Sequence, residues 1–573
     1  MGRAGFRSVT VLDANPGRSS HARPTLVRES PRAVDVLSTI NTRRTPQTQA
    51  ADPRQVKNAA GGYTFAVDDW TRVHRFLTLG TEGGTYHTTA SELTRDNATV
   101  ILRAAATDPV ELVRRIVDVS ITGRAPRQNP ALFALAIAAS CDDDTGRGAA
   151  LAALPAVART GTHLFLFAGY VEQFRGWGRA LRRAAADWYL TKPIDRLAYQ
   201  LVKYRQREGW THRDVLRLAH PATDDPVRAA VFEYACRGQV LDTSDYAAAG
   251  VPLIGDYCDA QAATTAAEWV AIIDRGRGLS WEMLPDTALG HPQVWEALLH
   301  QGIPQTALLR QLPRLTRLGL TAGQTGRLIA AQLANPDRLK QARVHPISVL
   351  VAARTYASGR SARGDSTWTP ARMINDALDA AFYAAFGAVE ASGKRTLLAL
   401  DVSGSMTVPV SGLPLSCREA SGALAMVTAA VEPDHRIVGF TSADGRHWSH
   451  GSALLELDVS PRRRLDDNLA AISGLPFGRT DCALPMVWAL RNRVEVDLFA
   501  VFTDNETWHG QIHPHQALAE YRQKMGIDAR LAVVAMTATG NSVADPADPG
   551  QLDVSGFDAS VPGLLTEFAR GTI

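Results

Sequence analysis

The hydrophobic and polar positions of the chain follow one periodicity before about residue 370 and a different one after it. From Val67 to about Thr355, apolar residues recur every three or four positions over segments of about 10 to 15 residues, as in amphipathic helices. The predicted helices include residues 109–119, 130–139, 180–189, 195–206, 227–237, 292–300 and 306–312. Because short helix pairs of this kind bury their apolar faces only by stacking on neighbours, the pattern predicts a HEAT-like α-helical repeat domain.

Beyond a polar, glycine-containing linker at residues 358–367 and a helix at 374–390, apolar strands alternate with helices. The strands are predicted at residues 395–401, 436–440, 496–502 and 530–536, and the helices at 419–431, 485–493 and 514–524. Uninterrupted apolar strands are typical of a parallel sheet that helices cover on both faces. The C-terminal part is therefore predicted to be a Rossmann-like α/β domain.

These patterns divide the chain into three regions. Residues 1–55 have no periodic apolar pattern and are predicted to form a disordered or irregular N-terminal arm. The helical domain follows at residues 56–370, and the α/β domain at 371–573. No run of about 18 uncharged apolar residues and no signal-peptide core occurs, so we expect a soluble, cytoplasmic protein without a membrane partner. Five cysteines without a CxxC pair argue against a disulfide framework or a zinc ribbon.

Oxygen-bearing side chains follow two strands of the predicted sheet. Asp401, Ser403 and Ser405 alternate at the end of the first strand, Asp504 follows a later strand, and Thr480 precedes a helix. Ligands of open α/β sheets bind at the carboxyl ends of the strands. Hard oxygen ligands suit octahedral Mg²⁺, or Mn²⁺, and do not suit zinc. Alone, Asp-x-Ser-x-Ser favours a polar loop that caps a helix. The three elements together predict a metal site with one open coordination position.

In this order the three elements resemble the metal-ion-dependent adhesion site (MIDAS) of the von Willebrand A domain, and the resemblance covers about residues 390–573. The resemblance implies that the open metal position accepts an acidic group from a partner. It therefore implies binding rather than chemistry.

Basic residues are concentrated between Arg175 and Arg217, where eleven Lys or Arg face four Asp or Glu, although the whole chain has a net charge of only +3. A solvated helix face usually mixes charge signs, whereas this one is mainly positive, so binding to a phosphate backbone explains it better. Apolar residues such as Trp177, Leu181 and Trp188 form a stripe on the opposite side of the first basic helix. The candidate RNA-binding residues are Arg175, Arg179, Arg182, Arg183, Lys203, Arg207, His212, Arg213, Arg217 and His220.

Residues 176–189 and 201–220 closely resemble the signature of the TROVE module of the Ro 60 kDa autoantigen family. Segments 69–86, 123–126, 306–310 and 343–346 agree, and the resemblance runs from about residue 56 to the C-terminus. It implies that the helical repeats close into a ring with the von Willebrand A domain as the clasp. It also implies that Y RNA binds the outer basic surface and that single-stranded 3′ ends of misfolded RNAs enter the central hole. Lys203, Arg207 and His220 match family positions associated with RNA contact.

Bacterial members with Asp-Val-Ser-Gly-Ser at the metal motif work with a Y RNA and with the exoribonuclease polynucleotide phosphorylase. We therefore expect a monomeric ribonucleoprotein component that acts in RNA quality control or decay. The alternative is a metal-dependent protein-interaction scaffold, which would show no salt-dependent RNA binding. No catalytic motif is present, and the glycine-rich turn at 80–85 is not a phosphate loop. A zinc site at His509, His513 and His515 is a weaker alternative.

Overall fold

The computed structural model describes residues 44–80, 90–239, 241–361, 364–387, 389–410, 413–441, 453–475 and 478–573. Residues 1–43 of the predicted arm and most of the glycine-rich turn at 80–85 lie outside the described residues. None of the helices in the described ranges is long and apolar enough to cross a membrane.

The N-terminal two thirds of the chain consist mainly of helices. They begin with α1 (Asp69–Leu79), α2 (Ala90–Thr107), α3 (Pro109–Thr122), α4 (Asn129–Ala138), α5 (Asp144–Val157), α6 (Gly161–Phe174), α7 (Arg179–Leu190), α8 (Ile194–Lys203), α9 (His212–Ala219) and α10 (Pro226–Arg237). They continue with α11 (Thr243–Ala248), α12 (Pro252–Ala262), α13 (Ala266–Ile273), α14 (Pro292–Gln301), α15 (Gln305–Arg317), α16 (Gly323–Leu333), α17 (Pro336–Gln341), α18 (Pro346–Ala357) and α19 (Arg372–Ala384). The predicted helical domain is confirmed.

Helix α3 shows how the sequence sets these boundaries. The Asp108 side chain accepts a hydrogen bond from the backbone N–H of Glu111 at 2.9 Å, and Pro109 occupies the first turn, where its missing N–H costs nothing. The helix ends at Gly123, whose φ of 73° suits a residue without a Cβ. Helices pack against their second neighbours, α3 with α5, α4 with α6 and α5 with α7, as expected for stacked repeats.

Four short strands lie among or before these helices, and the C-terminal domain contributes the other elements. The four strands are β1 (Gln55–Lys57), β2 (Tyr63–Ala66), β3 (Gln206–Arg207) and β4 (Trp210–Thr211). The C-terminal elements are β5 (Thr396–Asp401), α20 (Cys417–Val431), β6 (His435–Phe440), β7 (Leu454–Glu456), α21 (Leu465–Ser473), α22 (Leu484–Arg491), β8 (Leu498–Thr503), α23 (Pro514–Met525), β9 (Arg530–Ala535), β10 (Asn541–Ser542), β11 (Gln551–Ser555) and α24 (Val561–Arg570).

The main sheet has the strand order β11-β9-β8-β5-β6-β7, in which β7 is antiparallel to β6 and the other neighbours are parallel. Alternate residues of the central strand β5 point to opposite faces. Leu398 and Leu400 join a core that continues into the helical domain, whereas Leu397 and Ala399 join a second core beneath α22 and α23. The predicted Rossmann-like domain is confirmed.

Residues 44–54, within the arm that the sequence predicts to be disordered or irregular, form turns and irregular structure, and the arm ends in strand β1. Strand β1 pairs with β2, and β2 pairs with β10 of the C-terminal domain in an antiparallel sheet. Apolar periodicity did not predict this segment because its contacts are hydrogen bonds made by backbone groups and polar side chains.

Helix α19, which the sequence analysis assigned to the C-terminal domain, packs against α16 and α18 of the helical domain. The C-terminal domain still contacts it, because the Asp379 side chain accepts a hydrogen bond from the backbone N–H of Leu465 at 2.8 Å. The last helices of the helical domain are therefore tied to the sheet domain.

Candidate nucleic-acid interface and metal centre

Helix α7 exposes arginines on one side and buries apolar residues on the other. Leu181, Ala184 and Trp188 are buried, and the Trp188 indole N–H donates to the carbonyl of Ala158 at 2.6 Å. Arg179, Arg182 and Arg183 are exposed, and within the described ranges none of the three forms an ion pair. Their charges therefore face solvent without compensation from the protein.

Arg175 lies at the end of α6 and is partly held by the protein. Its guanidinium donates to the carbonyls of Ser140 and Cys141, both at 3.2 Å, and lies 3.9 Å from Asp142. The side chain remains 45% exposed. It is thus a fixed but accessible cation beside the α7 arginines.

Helix α8 ends at Lys203, so the predicted helix over 195–206 is too long at its C-terminus. Residues 206–211 form a two-stranded hairpin, with Glu208 at φ 54° and Gly209 at φ 78° in its turn. Two successive positive φ values are typical of a tight hairpin turn. Arg207 therefore lies exposed on this hairpin and not on a helix face shared with Lys203.

Lys203 is not a free surface cation, contrary to the expectation from the sequence. Its side chain is only 10% exposed; its ammonium group lies 3.1 Å from the Glu282 carboxylate and donates to the Tyr199 hydroxyl at 3.0 Å. The charge is compensated within the protein, so Lys203 holds α8 against residues 281–283.

His212 was predicted to bind RNA, and the structure corrects this prediction. The side chain is 2% exposed, its Nδ1 lies 2.8 Å from the Tyr189 hydroxyl, and its ring packs against Phe165 and Trp188. Burial lowers the pKa of His212 to about 3, so the imidazole is neutral at physiological pH. It is a core residue because it occupies the inward-facing first turn of α9.

Arg213, Arg217 and His220 lie exposed along α9 and at its end. The helix begins with a capping box, in which Thr211 and Asp214 satisfy each other's backbone N–H groups. It ends at His220, whose φ is 47°. The negative end of the helix dipole lies at the last turn, where the positive charge of Arg217 complements it.

A cleft of about 940 Å³ brings these elements together. Arg205 lines it from the turn between α8 and the hairpin, Arg207 from the hairpin, Arg213 from α9 and Arg237 from α10, and the Arg205 guanidinium donates to the Tyr257 hydroxyl at 2.5 Å. Sequence analysis did not select Arg205 or Arg237 as RNA-binding residues. Arg205 belongs to the basic run, but only the tertiary structure brings Arg237 to the same cleft.

The C-terminal domain places the five predicted metal ligands near the carboxyl ends of β5 and β8. The Asp401 carboxylate accepts hydrogen bonds from the Ser403 backbone N–H at 2.9 Å and from the Thr503 hydroxyl at 2.7 Å. The hydroxyls of Ser403 and Ser405 lie 2.9 Å apart. These contacts fix three ligand side chains in one turn.

The other two ligands lie on neighbouring loops. Asp504 follows β8, the strand that pairs with β5, and Thr480 follows Gly478, whose carbonyl accepts a hydrogen bond from the Gly404 N–H at 3.3 Å. The Thr480 carbonyl accepts from the backbone N–H groups of Trp508 and His509. All five ligand residues are at most 4% exposed.

The donor set fits a hard divalent cation. Burial, followed by the negative charge of Asp504, raises the pKa of the Asp401 carboxyl to about 7. Two buried carboxylates beside three hydroxyl-bearing residues form an oxygen-only site that a cation of charge +2 would stabilise. Asp401, Ser403, Ser405, Thr480 and Asp504 would hold it.

Two of the histidines considered as zinc ligands contact the N-terminal segment instead. His513 Nε2 lies 2.8 Å from the Gln49 carbonyl and its Nδ1 lies 3.1 Å from the Gln55 amide, while His515 packs against Phe65. In the described part of the chain, no group of three or more His, Cys, Asp or Glu side chains is placed to hold a metal ion. His513 and His515 fasten the N-terminal segment to the C-terminal domain.

Comparisons with known proteins agree with this two-domain layout. Residues 56–249 and 275–355 match the family model of the TROVE domain, and residues 395–569 match that of the Ro60 vWA domain. The chain is 40% identical over 545 residues to the RNA-binding protein RO60 of Deinococcus radiodurans, covering 94% of this chain and 100% of that protein. It is 36% identical to the RNA-binding protein RO60 of Caenorhabditis elegans, covering 92% of each. The crystal structure of the Deinococcus radiodurans RO (RSR) protein matches with a TM-score of 0.64 at 38% identity, covering 88% of this chain and 100% of that one.

Proposed function

Since the chain belongs to the Ro60 family, as its motifs predicted, we propose that it binds RNA through the exposed arginines of α7, the β3–β4 hairpin and α9. One observation carries this proposal: eight of the ten predicted RNA-binding residues are exposed between the end of α6 and the end of α9, and Arg182 and Arg183 form no ion pair within the described part of the chain. Such a surface suits the phosphate backbone of RNA, which it can contact whatever the base sequence. RNA in the arginine-lined cleft would also meet Tyr257.

The structured ligand in this proposal is a Y RNA or a Y-like small RNA. The second ligand class is misfolded RNA with a single-stranded 3′ end, which the protein would present to a polynucleotide phosphorylase-like exoribonuclease. The protein would act as a monomer in the cytoplasm, in RNA quality control or decay. Both the presentation step and the nuclease partner derive from the family resemblance.

Contacts between early and late parts of the helical domain, and of both with the C-terminal domain, support a closed ring. His345, at the start of α18, lies 3.2 Å from the carbonyl of Arg124, just after α3. The Arg124 guanidinium lies 3.4 Å from Asp558 of the C-terminal domain, and Phe557 packs between His345 and Phe386. A ring would select RNA by geometry, because a single strand is narrower than a duplex.

The metal centre would add a second interaction to this function. With Mg²⁺ bound, the cation would supply one open coordination position for an acidic group of a protein partner. The residues of the chain provide the buried oxygen cage and hold it at one edge of the sheet. Mn²⁺ would suit the same ligands.

Salt-dependent RNA binding tests the central proposal. The double variant Arg182→Ala/Arg183→Ala should bind a small structured RNA more weakly, and its dependence of log affinity on log salt should be shallower by about 0.7 to 0.9 for each lost phosphate contact. Arg491→Ala/Arg493→Ala removes the same charge from an exposed site on the C-terminal domain and serves as the control. Fluorescence anisotropy at several salt concentrations measures both.

If the α7 variant and the control behave alike, the RNA surface lies elsewhere. If the wild-type protein shows no salt-dependent RNA binding, the metal-dependent interaction scaffold becomes the better description.

A further inference from the structure

Gln47, in the segment before β1, is fully buried inside the C-terminal domain. Its side-chain N–H₂ donates to the Asp481 carboxylate at 2.7 Å and to the Ile512 carbonyl at 2.9 Å. Its side-chain oxygen accepts from the Thr507 hydroxyl, and its backbone N–H donates to the Gly510 carbonyl at 3.0 Å. One glutamine, more than 400 residues away in sequence, thus bonds to two separate loops of this domain.

These two loops carry two of the five metal ligands. Asp481 follows the ligand Thr480 directly, and Thr507 lies three residues after the ligand Asp504. Gln47 bridges the two loops from the side of the N-terminal segment, and Thr507 in turn accepts a hydrogen bond from the Cys482 N–H at 3.1 Å. The relative position of the Thr480 and Asp504 loops therefore depends on a residue outside the α/β domain.

The N-terminal segment packs closely against the loops of the C-terminal domain. A Cβ on Gly62 would lie 2.0 Å from the carbonyl oxygen of Thr507, and a Cβ on Gly510 would lie 2.6 Å from the Gln47 amide nitrogen. Asn58 donates to the Thr507 carbonyl at 2.7 Å, and the Ala60 N–H donates to the Glu506 carboxylate at 3.0 Å. The segment over residues 44–66 therefore contacts the loop after Asp504 at several points, through Gln47, Asn58, Ala60 and Gly62.

We propose that Gln47 is a positioning residue of the metal centre, so that the N-terminal segment sets the spacing of the two ligand loops. This inference rests on the proposed divalent-cation site. A small divalent cation such as Mg²⁺ requires near-ideal octahedral geometry, so a shift of one ligand loop weakens binding. Residues that orient metal ligands contribute to affinity without touching the metal.

The linkage is reciprocal. If the attached segment favours metal binding, bound metal must favour the attached segment by the same free energy. The segment also pairs with β10, and Arg75 of α1 donates to the carbonyls of Thr539 and Asn541 beside that strand. Metal binding would thereby stabilise the junction between the start of the helical domain and the C-terminal domain.

Mn²⁺ binding to the full chain tests this proposal. Gln47→Ala should weaken Mn²⁺ affinity by about 10- to 100-fold, the range found when supporting partners of metal ligands are removed. Gln49→Ala, two residues away and exposed, removes a glutamine side chain from the same segment and should leave the affinity unchanged. The electron paramagnetic resonance signal of free Mn²⁺ measures binding, and circular dichroism establishes that each variant is folded.

Hydrogen exchange of the wild-type protein gives a second readout that needs no variant. Saturating Mn²⁺ should slow exchange of backbone N–H groups in residues 44–66 and leave α17 unchanged. Equal Mn²⁺ affinity of folded Gln47→Ala and wild type would overturn the proposal. The proposal would also be overturned if Mn²⁺ binds and hydrogen exchange in residues 44–66 does not change. This second result tests the proposal even if Gln47→Ala does not fold.

Failure of the metal site itself is distinguishable from failure of this inference. If the wild-type chain binds no Mn²⁺, the proposed cation site is wrong and the positioning role of Gln47 is wrong with it. RNA binding through the α7 arginines would be unaffected by that result.

Discussion

Arg75 of α1 is fully buried and forms an ion pair with Asp553 of β11, with 2.6 Å between its Nη2 and the Asp553 carboxylate. Its other terminal nitrogen donates to the carbonyls of Thr539 and Asn541 at 2.6 and 2.7 Å. The charged side chain of Arg75 therefore attaches the first helix of the helical domain to the C-terminal domain. A buried charge is tolerated only when partners of this kind compensate for its lost hydration.

Removing this arginine should destabilise the protein strongly. Arg75→Met leaves the Asp553 charge and two carbonyl groups without their donor, so we expect a loss of about 3 to 5 kcal/mol in the free energy of unfolding. Urea denaturation measures the change. Arg103→Met breaks an ion pair with Asp69 whose side chains are 49% and 43% exposed, and should cost less than about 1 kcal/mol. Similar losses in both variants would contradict the structural role of Arg75.

Lys203 and Arg207 should differ in their effect on RNA binding, although the family resemblance led us to expect RNA contact from both. Arg207 is exposed at the cleft, so Arg207→Ala should make the salt dependence shallower by about 0.7 to 0.9. Lys203 is compensated by Glu282, so Lys203→Ala should lower the melting temperature and leave the salt dependence nearly unchanged. Titration of RNA at several salt concentrations, with a thermal melt of each variant, separates the two effects. An equal loss of salt dependence would show that Lys203 leaves its ion pair to contact RNA.

A closed ring should make RNA binding depend on a free 3′ end. We expect a hairpin with a single-stranded 3′ extension to compete better than a blunt hairpin, by more than the added phosphates explain. The same extension placed on the 5′ end carries equal charge and provides the control. Competition by anisotropy measures all three RNAs. If both extensions give the same gain, charge alone accounts for it and threading of 3′ ends is wrong.

Replacing a metal ligand should remove cation binding and spare RNA binding. Asp401→Asn removes one of two carboxylates from the cage, so Mn²⁺ affinity should fall by at least about 100-fold, while RNA affinity stays within about twofold because the α7 arginines lie on another domain. Asp434→Asn changes an exposed carboxylate of the same domain, at the amino ends of β5 and β6 and away from the proposed site, and should alter neither quantity. Crystals soaked in Mn²⁺ provide an independent measurement. An anomalous scattering map without a peak between Asp401 and Asp504 would exclude this site.

Buried histidines should make the protein sensitive to acid. Burial lowers the pKa of His74, His163, His345 and His515 to about 4 and that of His212 to about 3. The unfolded chain binds protons at these histidines below about pH 6.5, and the folded chain does not until pH 3 to 4. Their stabilising contribution is therefore complete above about pH 6.5 and declines as the pH falls toward 4, by about 1.4 kcal/mol per pH unit for each histidine.

His212 provides the test of this pH dependence. His212→Gln should reduce the slope of unfolding free energy against pH between about pH 6 and 4, even though the variant is less stable at neutral pH because the bond to the Tyr189 hydroxyl changes. His300→Gln, at an exposed position, should leave the slope unchanged. Urea denaturation at several pH values measures the slope. A slope identical to that of the wild type would mean that His212 does not titrate between the two states.

The type of each repeat element followed from local pattern. Apolar spacing predicted helix α3 to within a few residues, because amphipathic periodicity acts within one or two turns. The strand β5 and the placement of Asp401, Ser403 and Ser405 at its carboxyl end were predictable for the same reason: a buried strand and the alternation beyond it are local features. The family motifs then indicated that the helical repeat domain and the von Willebrand A domain occur together in this chain.

What the sequence alone determined about this protein is thus its helical repeat, its α/β domain, the arginine-rich surface of α7 and α9 and the position of the oxygen-bearing side chains that we propose as metal ligands. Only the tertiary structure decided that Lys203 is paired with Glu282, that His212 lies in the core, that Arg237 joins the cleft and that Gln47 bridges the metal loops. The physical reason is sequence separation. Exposure and charge compensation depend on partners brought together from distant segments, and local periodicity carries no information about which segments those are.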